Sequence, residues 1–164
     1  MNERPRSAIL VRPADLEDPE DGRRILDLLD MYSREPLGQA APLPLEVRQR
    51  LVPGLRQHPS TLVLLALDRE SAVGIAVCFF GFSTFAARPL LNIHDLAVRP
   101  EARGRGVGRA LLAAAQQQAI ERNCCKMTLE VRHDNHVARQ LYHDFGFETH
   151  NGDSCSYSFW TKLL

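Results

Sequence analysis

No segment of the chain approaches the ~20 consecutive apolar residues that a membrane-spanning helix needs, and the first residues lack the apolar core of a secretion signal. A cytoplasmic protein without a membrane partner is expected. Net charge is missing too: 20 Lys and Arg balance 20 Asp and Glu, so a whole-surface attraction to nucleic acid or to an anionic bilayer is not supported. Lysine is scarce, with arginine supplying nearly all the basic charge. The four cysteines, Cys78, Cys124, Cys125 and Cys155, form no C-x-x-C pair. Three of them fall in or beside apolar strand-like segments, so reduced and mostly buried thiols are expected rather than a disulfide framework. There are no repeats or low-complexity tracts, and 164 residues suffice for one domain, residues 1–164, burying about 70% of its unfolded surface.

Basic charge is instead gathered in one place. Residues 91–112, LNIHDLAVRPEARGRGVGRALL, read as a strand, an arginine- and glycine-rich turn and a helix in immediate succession. Arg99, Arg103, Arg105 and Arg109 surround Gly104, Gly106 and Gly108. A helix start of this kind offers an anion free backbone N–H groups, a favourable dipole and guanidiniums to clamp its oxygens. Two familiar phosphate loops are excluded by spelling. A P-loop needs Lys-Ser/Thr after its last glycine, where this chain has Arg109-Ala110. A dinucleotide fingerprint needs a sixth-place glycine, and counting from Gly104 that place is Arg109.

Around this segment the periodicity gives a strand at 7–12, a helix through Met31, a loop at 33–43 and a second helix at about 44–57 that contains Pro53-Gly54. Residues 61–67 and 72–82 form a hairpin around Asp68-Arg69-Glu70-Ser71, and 83–89 connect into the strand ending at Val98. Helix three spans about 106–122, followed by a strand at 126–131. A fourth helix from Asn135 places Val137, Ala138, Leu141, Tyr142 and Phe145 on one side. Strands at 147–150 and 157–163 close the chain around Asn151-Gly152-Asp153. Periodicity alone gives a single α/β or α+β domain.

The hexapeptide Arg103-Gly104-Arg105-Gly106-Val107-Gly108 resembles the acyl-CoA-binding signature of the GNAT superfamily of N-acetyltransferases. The run from Asn135 through Ala138, Leu141 and Tyr142 to Gly146-Phe147 resembles the family's second signature. The resemblance covers about 91–147 and, through the order of elements, most of the chain. It implies a GNAT-like fold: a mixed, bent six- to seven-stranded sheet flanked by about four helices, with two splayed central strands whose gap takes the pantetheine arm. The implied activity is acetyl-CoA-dependent N-acetylation of a small-molecule primary amine by direct attack in a ternary complex. Alternatives are a protein or peptide N-acetyltransferase and a non-catalytic CoA-binding sensor. The pattern around residues 80–98 is most similar to the diamine/polyamine-type branch. Family members are often dimers, so a homodimer stays open.

Under the resemblance, residues Arg103, Gly104, Arg105, Gly106, Val107, Gly108 and Arg109 bind the CoA diphosphate. Main-chain groups of Leu96, Ala97 and Val98 hold the pantetheine and the developing oxyanion, and Asn135 and Ala138 join the cofactor wall. Asn135 also suits a helix cap. Tyr142 stands at the family's tyrosine position and would protonate the departing sulfur. His94 occupies the place of that branch's carboxylate base, and a neutral imidazole can accept a proton near neutral pH; a satisfied buried histidine is the other reading. Strict alternation puts His94 and Leu96 on one face and Asp95 on the other. Asp95 is expected in the substrate wall, with Glu130 a second candidate base or amine-binding carboxylate. His133, His136, His143 and His150 match no metal-ligand signature, and no metal is expected.

Overall fold

A computed structural model describes residues 8–149 and 157–164. The turn at Asn151, Gly152 and Asp153, and with it His150 and Cys155, lies outside the described residues. The elements are β1 (Ile9–Pro13), α1 (Pro19–Ser33), α2 (Leu45–Gln57), β2 (Thr61–Asp68), β3 (Ser71–Ser83), β4 (Arg88–Val98), α3 (Val107–Glu121), β5 (Lys126–Arg132), α4 (His136–Phe145), β6 (Glu148–Thr149) and β7 (Tyr157–Leu163), with a single 3-10 turn at Pro100–Ala102. The strands form one seven-stranded sheet in the order β1-β2-β3-β4-β5-β7-β6. Every neighbouring pair is antiparallel except β4 and β5. Order, strand count and mixed character agree with the sequence reading.

Helices cover both faces of this sheet, which is why β2 and β3 read as continuous apolar runs rather than alternating ones. On one face Val107, Leu111, Leu112 and Ala115 of α3 and Tyr142 of α4 pack with Leu64, Ala76, Ile93 and Leu129. On the other, Ile25, Leu28 and Leu29 of α1 and Leu55 of α2 pack with Leu65, Ile75, Val77 and Ala97.

Several boundaries differ from the periodicity, each for a local reason. Helix α1 starts at Pro19 because Asp18 caps it, its carboxylate accepting from Glu20 N–H at 3.1 Å. Helix α2 runs through Pro53, whose missing N–H leaves the carbonyl of exposed Gln49 to solvent on a helix that buries Leu55 alone. The link between β3 and β4 contracts to residues 84–87, since Ser83 already pairs with Arg88. Val137 is corrected from the buried stripe of α4 to solvent, 83% exposed, because it lies in the first turn at the edge of the arc occupied by Ala138, Leu141, Tyr142 and Phe145. Cys78 and Cys124 are buried free thiols and Cys125 is half-buried.

One buried charge ties β1 to α1. The Asp21 carboxylate is fully buried and accepts from Arg12 Nη1 and Nη2 at 2.6 and 2.8 Å, Arg24 Nη1 at 3.0 Å and the Asp15 amide at 2.9 Å. Its bonds with Arg12 first, then with the Asp15 amide and Arg24, hold its pKa well below the usual carboxylate range against the opposing effect of burial. A depressed folded-state pKa gives stability that is complete above the unfolded value near 3.9 and is lost as pH falls toward the folded value. Asp21→Asn is therefore expected to cost about 2–3 kcal/mol at pH 7 and to flatten the decline in stability below about pH 4. Urea unfolding across pH 3–7 measures both, and a variant as stable and as acid-sensitive as the parent would remove this role.

Candidate active site

Strands β4 and β5 pair over three residues only, Leu91 with Met127, Asn92 with Thr128 and Ile93 with Leu129. Beyond that point each keeps its outer partner: β4 stays on β3 to Val98, and β5 stays on β7 to Arg132. The inner edges part. Into the opening faces a cavity of about 270 Å³ whose lining includes His94 and Leu96 from β4, Glu130 and Arg132 from β5, and Asn135, Ala138 and Tyr142 from α4. His94 and Tyr142, 48 positions apart in the chain, thus meet in one space, as the splayed-strand expectation requires.

Strand β4 carries a bulge at His94. Val77 pairs with Asp95 and Cys78 with Ile93, leaving His94 as the extra residue. Ile93 and Leu96, three positions apart, consequently both pack toward α3, while Ala97 packs toward α1. Strict alternation therefore fails, and the opposite-face assignment of Asp95 and His94 is corrected: the bulge sets them beside one another. His94 is exposed and meets Phe79 edge-to-face at 5.7 Å between ring centroids, which removes the reading of a buried structural histidine. Asp95 is half-buried; burial raises its pKa, and the adjacent His94 pulls it partly back.

Tyr142 is 7% exposed and rests edge-to-face on Phe147 at 5.9 Å. Burial first, then the neighbouring Tyr32 and Asp95, push its phenol above the usual value, so the proton stays on oxygen. Asn135 caps α4, its Oδ1 accepting from Ala138 N–H at 3.1 Å, and also lines the cavity, so the two roles coincide. Glu130 is exposed at the end of the parted strand.

At the start of α3, Gly106 is the N-cap residue in the left-handed region, φ 80°, with no side-chain cap, and Gly104 has φ 72°. The first helical bond runs from Ala110 N–H to Gly106 O at 2.9 Å. The amides of Val107, Gly108 and Arg109 are thus among those the helix leaves for an outside acceptor. Gly108 has a packing role besides: a Cβ there would stand 2.9 Å from Leu141 Cδ2, so α4 lies close against the start of α3. The arginines are also more dispersed than a single clamp. Arg103 ion-pairs with Glu35, Arg105 with Asp68 at 2.6 Å, Arg99 Nε donates to Ala72 O at 2.8 Å, and Arg109 lies over the Phe145 ring.

Tyr32, Leu37, Asn92 and Arg132 also line the cavity and were not singled out from the sequence. Tyr32 was within reach, since it continues the Leu28 and Leu29 stripe of α1 at a spacing of four and three. Asn92 had no such signal. Its role depends on a partner 36 residues away, Thr128, whose Oγ1 accepts from Asn92 Nδ2 at 3.1 Å. Among the described residues no group of three or more His, Cys, Asp or Glu is placed to share a metal ion, and no helix is long and apolar enough to cross a membrane.

Comparison with known proteins agrees with this geometry. The model of the acetyltransferase (GNAT) family matches residues 24–147. A relative from Bacillus subtilis (strain 168), the uncharacterized N-acetyltransferase YhfO, is 29% identical over 132 residues, spanning 80% of this chain and 87% of that protein. Among solved structures, the NatC complex bound to Gag peptide and CoA has a TM-score of 0.72 at 22% identity, over 95% of this chain and 98% of that one. The PaiA N-acetyltransferase of Thermoplasma acidophilum in complex with coenzyme A has a TM-score of 0.71 at 16% identity, over 96% and 99%. The likeness of these two structures is one of fold. With the family model covering most of the chain, the protein belongs to the GNAT acetyltransferase family and is an acetyl-CoA-dependent N-acetyltransferase.

Proposed function

We propose that the acceptor is the primary amine of a small molecule and that it attacks the acetyl thioester directly in a ternary complex. The observation that carries this reading is the cavity of about 270 Å³ where β4 and β5 part, small enough for one amine and its immediate substituents beside the cofactor arm. It has His94 and Glu130 on its walls and Tyr142 at its back. Direct attack is supported by a cavity lining that, among the described residues, includes no cysteine and by the state of Cys78 in the adjoining strand. Burial, aided by Asp95, pushes Cys78 up to about 12, so it holds its proton and is a poor nucleophile.

The roles divide between main chain and side chains. Free amides at the start of α3, with Arg103, Arg105 and Arg109 around them, bind the CoA diphosphate. Leu96, Ala97 and Val98 offer backbone groups on the open edge of β4 to the pantetheine and to the carbonyl oxygen as it gains charge. Asn135 and Ala138 wall the arm. Glu130 attracts the ammonium form of the acceptor. His94 accepts its proton, directly or through water, and Asp95 beside it offsets the imidazolium charge. Tyr142 delivers a proton to the sulfur.

Release of CoA measured against a broad panel of amines and short peptides tests the acceptor class; turnover of peptides alone would overturn it. Acetyl-CoA at 100 times its Kd should stabilise the protein by about 2.7 kcal/mol in thermal unfolding, and no stabilisation would contradict the cofactor site. Tyr142→Phe is expected to lower kcat about 100-fold with little change in that stabilisation; an unchanged kcat removes the acid role. His94→Ala should likewise lose about 10- to 100-fold in kcat/KM while still binding acetyl-CoA, and a fully active variant would return His94 to a wall residue. Gly106→Val, by contrast, should weaken binding of acetyl-CoA, because a β-branched residue is strained at positive φ.

A further inference from the structure

A second space adjoins the acceptor side of the cavity. It is a groove of about 720 Å³ between α2 and β3, lined by Val47, Leu51, Leu55 and His58 from one side and by Phe79 from the other. Its fully charged lining residues, Glu46 and Arg50, lie toward the far end of α2; Glu46 stands about 18 Å along the helix from His58 at 1.5 Å per residue. The groove and the catalytic cavity meet at one ring. Phe79 lies edge-to-face with His58 at 5.2 Å and with His94 at 5.7 Å, and it pairs across the sheet with Asn92, which lines the cavity. A row of three rings therefore leads from the reacting end of the site to the groove.

Resting on the small-amine reading above, we propose that this groove holds an apolar, ring-bearing tail of the acceptor, so that preferred substrates are primary amines with an aromatic ring a few carbons from the nitrogen. An aromatic tail lying along His94, Phe79 and His58 gains edge-to-face contacts beyond simple burial. At the His58 end a second ammonium meets rings rather than a lining carboxylate, since Glu46 lies at the far end of α2 and Asp95 beside His94 at the cavity end. Glu130 belongs to β5, on the other wall of the cavity, and holds the reacting nitrogen rather than the tail. The groove thus discriminates on the acceptor's far end while the cavity handles its amine.

The test compares 4-phenylbutylamine, butylamine and 1,4-diaminobutane with the full-length protein and acetyl-CoA. The ring is expected to raise kcat/KM about tenfold or more over both others, chiefly through KM. Leu51→Lys, which puts a charge in the groove, and Phe79→Leu, which keeps apolar volume but removes the central ring, should each reduce the ratio of 4-phenylbutylamine to butylamine toward one. Stabilisation by acetyl-CoA reports that each variant is folded. Parity or preference for 1,4-diaminobutane, or a ratio untouched by both variants, would overturn the groove assignment and leave small-amine acetylation standing. A peptide with an apolar first residue that outruns every free amine would overturn both. If no free amine is turned over, calorimetry of the CoA-loaded protein decides the groove independently: binding of 4-phenylbutylamine weakened by Leu51→Lys supports it, and no binding sinks it.

Discussion

The parting of β4 from β5 after Ile93 and Leu129 is the constraint on which the site depends. Buried backbone donors and acceptors need partners, and a sheet opened at its centre leaves them without. The opening is tolerated because each strand remains half of an antiparallel pair, β4 with β3 and β5 with β7. Asn92 completes the fork, its side-chain amide bonding Thr128 in the middle rung. What remains without a strand partner along Leu96 and Ala97, up to Val98 whose carbonyl accepts from Arg103 Nε at 3.2 Å, is an edge suited to a ligand that carries amides of its own. The parallel direction of β4 and β5 matters equally. It places the ends of both strands at one side, so the arginine and glycine turn following β4 and the helix following β5 reach the opening together.

Much of this half of the site was legible in the sequence because main-chain binding restricts residue type. A left-handed N-cap with φ 80° excludes most side chains, and Asn135 is marked as a cap by its own chemistry. The guanidinium partners were not legible. Arg103 finds Glu35 and Arg105 finds Asp68 across 68 and 37 residues of sequence, distances at which composition says nothing. The exposed Arg103–Glu35 pair contributes about 0–1 kcal/mol, a tie weak enough to leave its guanidinium available near the turn, while the Arg105–Asp68 pair is half-buried. Charge clustered in sequence is therefore spread over the β2–β3 hairpin and the end of α1, ready to be drawn back.

The acceptor half shows the opposite case. His94 and Asp95 could be named as candidates, yet their relation was set by a bulge against β3, and register with a distant strand leaves no trace in the local alternation. Tyr32, Phe79 and His58 come from α1, β3 and the end of α2, elements whose order was readable but whose approach to β4 was not. Side chains that recognise an acceptor carry no spacing rule comparable to the glycines of the turn. This is the physical reason that the cofactor could be read from one segment while the proposed acceptor rests on the assembled sheet.

Protonation in the cavity follows from a single property, its reluctance to hold negative charge. Desolvation raises Asp95, Tyr142 and Cys78 together. Cys78, one strand away and fully buried, shows how strongly burial acts, its thiol pushed up to about 12. Under the proposed acid role, the raised phenol of Tyr142 holds its proton until negative charge forms beside it. The positive charge of an incoming ammonium would have the opposite effect on Asp95, favouring its ionised form. Burial thus keeps Tyr142 protonated on one wall of the cavity, while His94 stands exposed on another.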